Sequence, residues 1–396
     1  MRYDFDQVVD RKGTYASKLE VLPENTPEDS LYLWVADMDF PCAQPIIDAL
    51  HKRVDRQIFG YTTYKNPAMK NAARHWFKKR FDWDIEPSWL FYCPGIVPAL
   101  GFLINALTEE GDGIIIQKPV YYPFTAKIEA SNRIVANNAL VRQGNTYVMD
   151  FEDLEKKFAA PENKGMILCS PHNPVGRVWT QEELRRVVSI AKKYDKWIIS
   201  DEIHCDLTRM GISHYPLLKI APEYQDSIIA CTAPSKTFNL AGLQFSNIVI
   251  PNPEYQKKWL HVTADQFSMG NPSPMGAEAL IAAYHDGDEW LDQVREYIDG
   301  NIQYIEDYVK EHLPKVDVIK CEGTYLLWLD VHRYAPDYKQ LEQTMIKAGV
   351  ILDEGYVFGK EGECYERINV ASPRCFIEDC MKRMEQCMKE LAGAEI

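Results

Sequence analysis

The sequence predicts an α/β protein in which a mostly parallel sheet, covered by helices on both faces, is joined to a smaller α+β domain. Three observations carry that reading. Short apolar runs recur through the middle of the chain: GIIIQ (113–117), GMILCS (165–170), WIIS (197–200), SIIAC (227–231) and SNIVI (246–250). Continuous apolar runs of this length suit strands buried on both faces. Amphipathic stretches lie between them. In TQEELRRVVSIAKKYD (180–195), Thr180 and Glu183 stand at capping-box spacing, and Leu184, Val187, Val188 and Ala191 form one apolar stripe. After about residue 275 the character changes: a long helical segment precedes an alternating strand, GTYLLWLDVH, then a helix, a strand, YERINVAS, and a last helix.

A chain of 396 residues exceeds the ~250–300 at which one core stops growing, so two domains are expected. The boundaries read as 43–280 for the large domain and 281–396 for the small one. Residues 1–42 are expected to join the small domain, because they precede the first core-type helix (43–57). Hydrophobic residues make up 46% and charged residues 26%, ordinary for a globular enzyme. The net charge of −14 argues against nucleic acid or an anionic membrane as partner, since both need a basic face. No apolar stretch has membrane-spanning length, and MRYDFDQVVD lacks the basic and apolar regions of a signal peptide. The ten cysteines are scattered, with no CxxC pair, so no metal is expected and a reducing cytoplasm is the expected location.

Three successive strand-like runs end in unusual polar residues. ILCS leads into Pro171-His172-Asn173-Pro174, WIIS into Asp201-Glu202-Ile203-His204, and IIACTAP into Ser235-Lys236-Thr237. Each alone is an ordinary turn residue, helix cap or surface charge. Together they put an amide, a carboxylate and an amine at one sheet edge, beyond the strand ends where such sheets bind ligands.

One chemistry uses this set. A pyridine ring becomes an electron sink when a buried carboxylate keeps its nitrogen protonated. A desolvated lysine can form an imine and then act as base, and an amide can donate to the ring's phenolic oxygen. Cys93-Pro94-Gly95-Ile96-Val97 precedes an apolar helix, PALGFLINALT, so the amides around Gly95, Ile96 and Val97 offer a phosphate site. The hydroxyls of Thr232 and Ser235 can add donors. Arg374, closing RINVASPR, is the candidate fork for a substrate carboxylate.

These residues together resemble the fold-type I enzymes of pyridoxal 5′-phosphate (PLP), the aspartate aminotransferase superfamily, over nearly the whole chain. SPHNPVGRVW, SDEIHCDL, APSKTFNLAGLQ and DEGYVFGKEGECYERINVASPR carry the likeness. The resemblance implies a seven-stranded, mostly parallel sheet in the large domain. It implies that Lys236 holds PLP as an imine, Asp201 pairs with the pyridine nitrogen, Asn173 bonds the phenolic oxygen and Arg374 binds the α-carboxylate. Tyr121 takes the position that stacks on the ring. Tyr61, in FGYTTY, matches a tyrosine reaching a neighbouring subunit's phosphate, which implies a homodimer with shared sites.

Within the superfamily, WVADMDFPCAQPI, PGIVPAL and TAPSKTFNLAGLQ look like the MalY/PatB-type C–S β-lyases, which act on cystathionine and cysteine S-conjugates. In the superfamily the N-terminal segment closes over the substrate, which would place Ala36 and Asp37 beside it. Two positions depart from the aminotransferase pattern. His204 stands where many members carry a tyrosine, and Gln244 where many carry a phosphate-binding arginine. An aminotransferase using the same residues is the alternative reading, and a regulatory protein that keeps the fold is a third. No GxGxxG follows a strand, and Gly355-Tyr356-Val357-Phe358-Gly359-Lys360 matches a phosphate-binding loop only loosely, with Glu361 where a Ser or Thr is needed.

Overall fold

The computed structural model describes residues 2–393. Seven strands form the large sheet: β1 (Leu90–Cys93), β2 (Gly113–Ile116), β3 (Ile134–Asn137), β4 (Asn163–Cys169), β5 (Trp197–Asp201), β6 (Ile228–Thr232) and β7 (Ser246–Val249). Their spatial order is β1-β7-β6-β5-β4-β2-β3. Only β7 runs against its neighbours; the other pairings are parallel. The apolar runs become strands because both faces are covered: Ile114, Ile115 and Ile116 are all fully buried. The expected strands appear within a few residues of their predicted ends. Two went unread, β1 and β3. The first mixes aromatic residues ahead of Pro94, and the second is a half-exposed edge strand.

Helix α1 (Ile96–Leu107) follows β1, and α2 (Gln181–Lys193) joins β4 to β5. At the start of α2 the capping box closes both ways. Glu183 N–H donates to Thr180 Oγ1 at 3.2 Å, and Thr180 N–H to Glu183 Oε2 at 2.8 Å. The stripe of Leu184, Val187, Val188 and Ala191 is buried.

The long segment after residue 287 is one helix, α3 (Asp288–His312). A second sheet follows, from β8 (Asp317–Val318), β9 (Leu326–Asp330), β10 (Asp353–Glu354) and β11 (Tyr365–Asn369), in the antiparallel order β8-β9-β11-β10. Helix α4 (Arg374–Gly393) ends the described chain. Leu31–Tyr32 pairs in parallel with Val350–Ile351, which ties the N-terminal segment to this late part.

The central register positions the site. Cys169 of β4 lies level with Asp201 of β5, and Asp201 with Cys231 of β6. The loops carrying Asn173 and Lys236 therefore leave the sheet beside Asp201. All ten cysteines are free thiols. Among the described residues, no cluster of three metal-ligating side chains occurs and no helix is long and apolar enough to cross a membrane.

Candidate active site

A cavity of about 190 Å³ opens at the carboxyl ends of β4, β5 and β6. Asn173, Asp201, His204 and Lys236 line it, with Tyr121 and Ser235. Gly95, Ile96 and Val97, at the N-terminus of α1, form another part of its wall, and Ala36 faces it from the N-terminal segment. Ten of the sequence-expected residues thus meet in one place. Gly95 is extended (φ −172°), a conformation open to any residue. Its contribution is room at the wall, where the first-turn amides of α1 have no intrahelical acceptor.

Lys236 Nζ donates to the Ala36 carbonyl at 2.5 Å. Desolvation, helped by the cation of Arg367, brings its amine down to about 8. Burial has the opposite effect on Asp201, pushing its carboxyl up to about 7 against the N–H of Ile203 at 3.1 Å and the charge of Lys236. A cationic ring nitrogen beside this acid would supply the counter-charge that its burial demands. His204 is held well below the ordinary histidine range, first by desolvation and then by Lys236 and Arg367. The imidazole is therefore neutral, and its buried Nδ1 has no protein partner. The Tyr121 N–H donates to the Asn173 carbonyl at 3.1 Å, locking the two loops together.

Four expected residues lie outside the cavity lining: Thr232, Asp37, Tyr61 and Arg374. Thr232 is buried just beneath, and its hydroxyl has no partner. Asp37 points to Arg11, which it meets through both oxygens at 3.1 and 2.6 Å, and to Lys18 at 3.0 Å. Tyr61 is fully exposed in the single chain. Gln244, which departs from the family's phosphate-binding arginine, is exposed, with its carbonyl accepting from Tyr92 Oη at 3.1 Å.

Arg374 requires a correction. It is the first residue of α4, and its side chain turns toward α3, where Nε donates to Asn301 Oδ1 at 2.8 Å and the guanidinium lies 4.9 Å from the Tyr304 ring. The arginine that reaches the cavity residues is Arg367 of β11. It is 2% exposed, donates to Asn173 Oδ1 at 3.2 Å and to the Trp34 carbonyl at 2.8 Å, and pairs with Asp353. Its buried Nε has no partner. The strand period groups Arg367 with Asn369 on a face opposite to Ile368, but it does not tell a buried face from a solvated one. Pro373, by contrast, precedes Arg374 and marks the start of a helix.

Three other residues escaped the sequence reading because they act on backbone. Tyr325 Oη donates to the Ala36 carbonyl at 2.8 Å, and Asn369 Nδ2 to the carbonyls of Val35 and Asp37 at 2.7 and 2.6 Å. Asn239, just past Lys236, accepts from Met38 N–H at 3.0 Å and donates to the Met38 carbonyl at 2.9 Å. Segment 34–38 is thereby fixed against the lysine.

The donor set fits PLP. The unpartnered hydroxyl of Thr232 and the first turn of α1 suit a phosphate, Asp201 suits a ring nitrogen, and Lys236 suits an aldehyde carbon. Asn173 Oδ1 is committed to Arg367, so its amide nitrogen is the atom left for a ligand oxygen.

Comparison with known proteins agrees with this geometry. The family described as aminotransferase class I and II matches residues 29–374. Cystathionine beta-lyase PatB of Bacillus subtilis (strain 168) is 37% identical, covering 97% of this chain and 100% of that protein. Protein MalY of Escherichia coli (strain K12) is 33% identical over 95% of this chain and 96% of its own length. Among solved structures, cystalysin from Treponema denticola, which contains a pyridoxal 5′-phosphate cofactor, superposes with a TM-score of 0.95 at 36% identity, covering 99% of this chain and 100% of that one. The PLP-bound C–S lyase from Staphylococcus hominis gives 0.93 at 34%, covering 98% of each. The chain belongs to the aminotransferase class I and II family and has the fold of the type I PLP-dependent enzymes.

Proposed function

We propose that the protein is a PLP-dependent C–S β-lyase that converts cystathionine or related cysteine S-conjugates to a thiol, pyruvate and ammonia. The observation that carries this reading is the convergence of Lys236, Asp201 and Asn173 on one cavity, in a chain whose full-length relatives include a cystathionine beta-lyase. PLP bound there supplies an electron sink conjugated to the substrate's Cα.

The side chains do the rest. Arg367, with its neighbour Asn173, holds the α-carboxylate and fixes which Cα bond faces Lys236. The Lys236 amine, brought down to about 8, takes the Cα proton near neutral pH. Asp201 would keep the ring nitrogen protonated, so that it is a cationic ring that draws electrons from Cα. The Cα–H and Cβ–S bonds break, a Cα=Cβ bond forms, and the sulfur leaves as thiolate. The released enamine is hydrolysed to pyruvate and ammonia. Thr232, Ser235 and the amides of Gly95, Ile96 and Val97 would hold the phosphate, Tyr121 would stack on the ring, and Asn173 with neutral His204 would face its phenolic oxygen.

A homodimer completes the reading. Tyr61 is fully exposed, with Ile58 at 70% and Phe59 at 57% beside it, which supports burial of this segment against a second copy. Residues 43–280 and 281–396, with 1–42 attached to the latter, are the proposed domains.

The test is to supply cystathionine with no keto acid. Sustained formation of pyruvate and thiol is the expected result. A single turnover that stalls until a keto acid is added would assign the protein to transamination instead.

A further inference from the structure

Arg367 is already in an ion pair before any substrate arrives. Its partner, Asp353 of β10, stands directly across the sheet from it and is 8% exposed. One guanidinium NH2 group serves Asp353 and the Trp34 carbonyl, the other serves Asn173 Oδ1, and Nε alone is left without a partner. A substrate carboxylate must therefore share a single buried cation with a resident carboxylate. Two carboxylates in one desolvated site do not both keep a full charge on one counter-ion.

We infer that Asp353 takes up a proton when the substrate's α-carboxylate binds Arg367, which makes carboxylate binding proton-linked. This rests on the reading of Arg367 as the carboxylate site. The surroundings favour the proton on Asp353. Tyr121 and Tyr122 approach from the loop after β2, and Glu354 and Glu366 flank the pair on the same sheet, with Glu342 next to Glu354. Lys236 and His204 lie within electrostatic reach of Arg367, so the site's positive charge is shared with the amine. Burial already raises Asp353 above the ordinary aspartate range, with Arg367 alone opposing it. Burial also raises Glu354 to about 7 and lifts Glu366 well above the ordinary glutamate range. Among these groups the only cations are Arg367, already paired with Asp353, and Lys236, whose amine is the proposed point of attachment for the cofactor.

The sign follows from linkage. Asp353 has a lower pKa in the free protein than in the complex, so affinity is highest below the free-state value. Between the two values it falls by up to about tenfold per pH unit. Propanoate is a suitable probe, because it carries the carboxylate and lacks the amine that would react with the cofactor. Its binding to the PLP-loaded protein is followed by calorimetry in two buffers of different ionisation enthalpy. Visible absorbance corrects for protons taken up at the cofactor's bond to Lys236. The wild type should take up about one proton more per site than Asp353→Asn, and the variant should bind propanoate with less dependence on pH. Equal proton uptake in the two proteins would overturn the inference. Arg367→Ala separates the two claims: unchanged propanoate binding in that variant would remove the carboxylate site itself. Lost binding, together with equal uptake in wild type and Asp353→Asn, would remove only the proton linkage.

Discussion

Two sheet edges meet at the cavity, and they contribute in different ways. The large sheet presents Asn173, Asp201 and Lys236 from the ends of three adjacent parallel strands, each within a few residues of its strand. The small sheet presents Arg367, Asn369 and Tyr325, which reach Asn173 and the carbonyls of Trp34, Val35, Ala36 and Asp37. One edge sets the protonation of an amine and an acid through burial. The other holds a buried arginine against Asn173 and positions the N-terminal segment. The first should govern kcat and the second KM.

The strongest way to break this division is at Lys236. Lys236→Ala should lower turnover by on the order of 10⁴-fold or more, because nucleophile and base are lost together, and should remove the visible absorbance of bound PLP while circular dichroism stays native. Turnover that survives would place the chemistry elsewhere. Asp201→Asn should follow at roughly 10²–10³-fold in kcat, the size expected when a buried ion pair loses one partner, with KM little changed. At the small-sheet edge, Arg367→Ala should raise KM by roughly 10–150-fold, since hydrogen bonds to a charged group contribute about 1.5–3 kcal/mol. Arg374→Ala, measured alongside, should leave KM near the wild-type value. The reverse pattern would restore Arg374 to the carboxylate site.

The electrostatic coupling between the edges gives a smaller effect. In the protein freed of cofactor, an amine reagent should label Lys236 half-maximally near pH 8, because burial and Arg367 hold its amine at about 8. Arg367→Leu should move that midpoint up, since one disfavouring cation is gone. An unmoved midpoint would mean that the two edges are not coupled. Smallest of all, Thr180→Ala should cost about 1 kcal/mol in denaturant unfolding through loss of the α2 cap, with kcat and KM unaffected. A kinetic change there would show that the large sheet's scaffold is not independent of the site.

The same contrast explains what could be read from sequence. Asn173, Asp201 and Lys236 were legible because a buried strand announces itself by a continuous apolar run, and the polar residue that ends it is conspicuous. The cap at Thr180 and Glu183 was legible for a similar local reason. Arg367 was overlooked in favour of Arg374 because its partners, Asn173, Trp34 and Asp353, are remote in sequence or strand neighbours across the sheet. No local pattern distinguishes a buried strand arginine from a surface one. Tyr325, Asn239 and Asn369 were hidden more deeply, since they bind backbone carbonyls and amides that carry no side-chain identity. The neutrality of His204 likewise depends on burial and on two cations from other elements, neither visible in its own neighbourhood.

Borohydride reduction of the PLP-loaded protein, followed by peptide mapping, tests the central claim most directly. The cofactor should be found fixed on the peptide containing Ser235-Lys236-Thr237, at one equivalent per chain. A tag on any other lysine, or none on Lys236, would contradict the account.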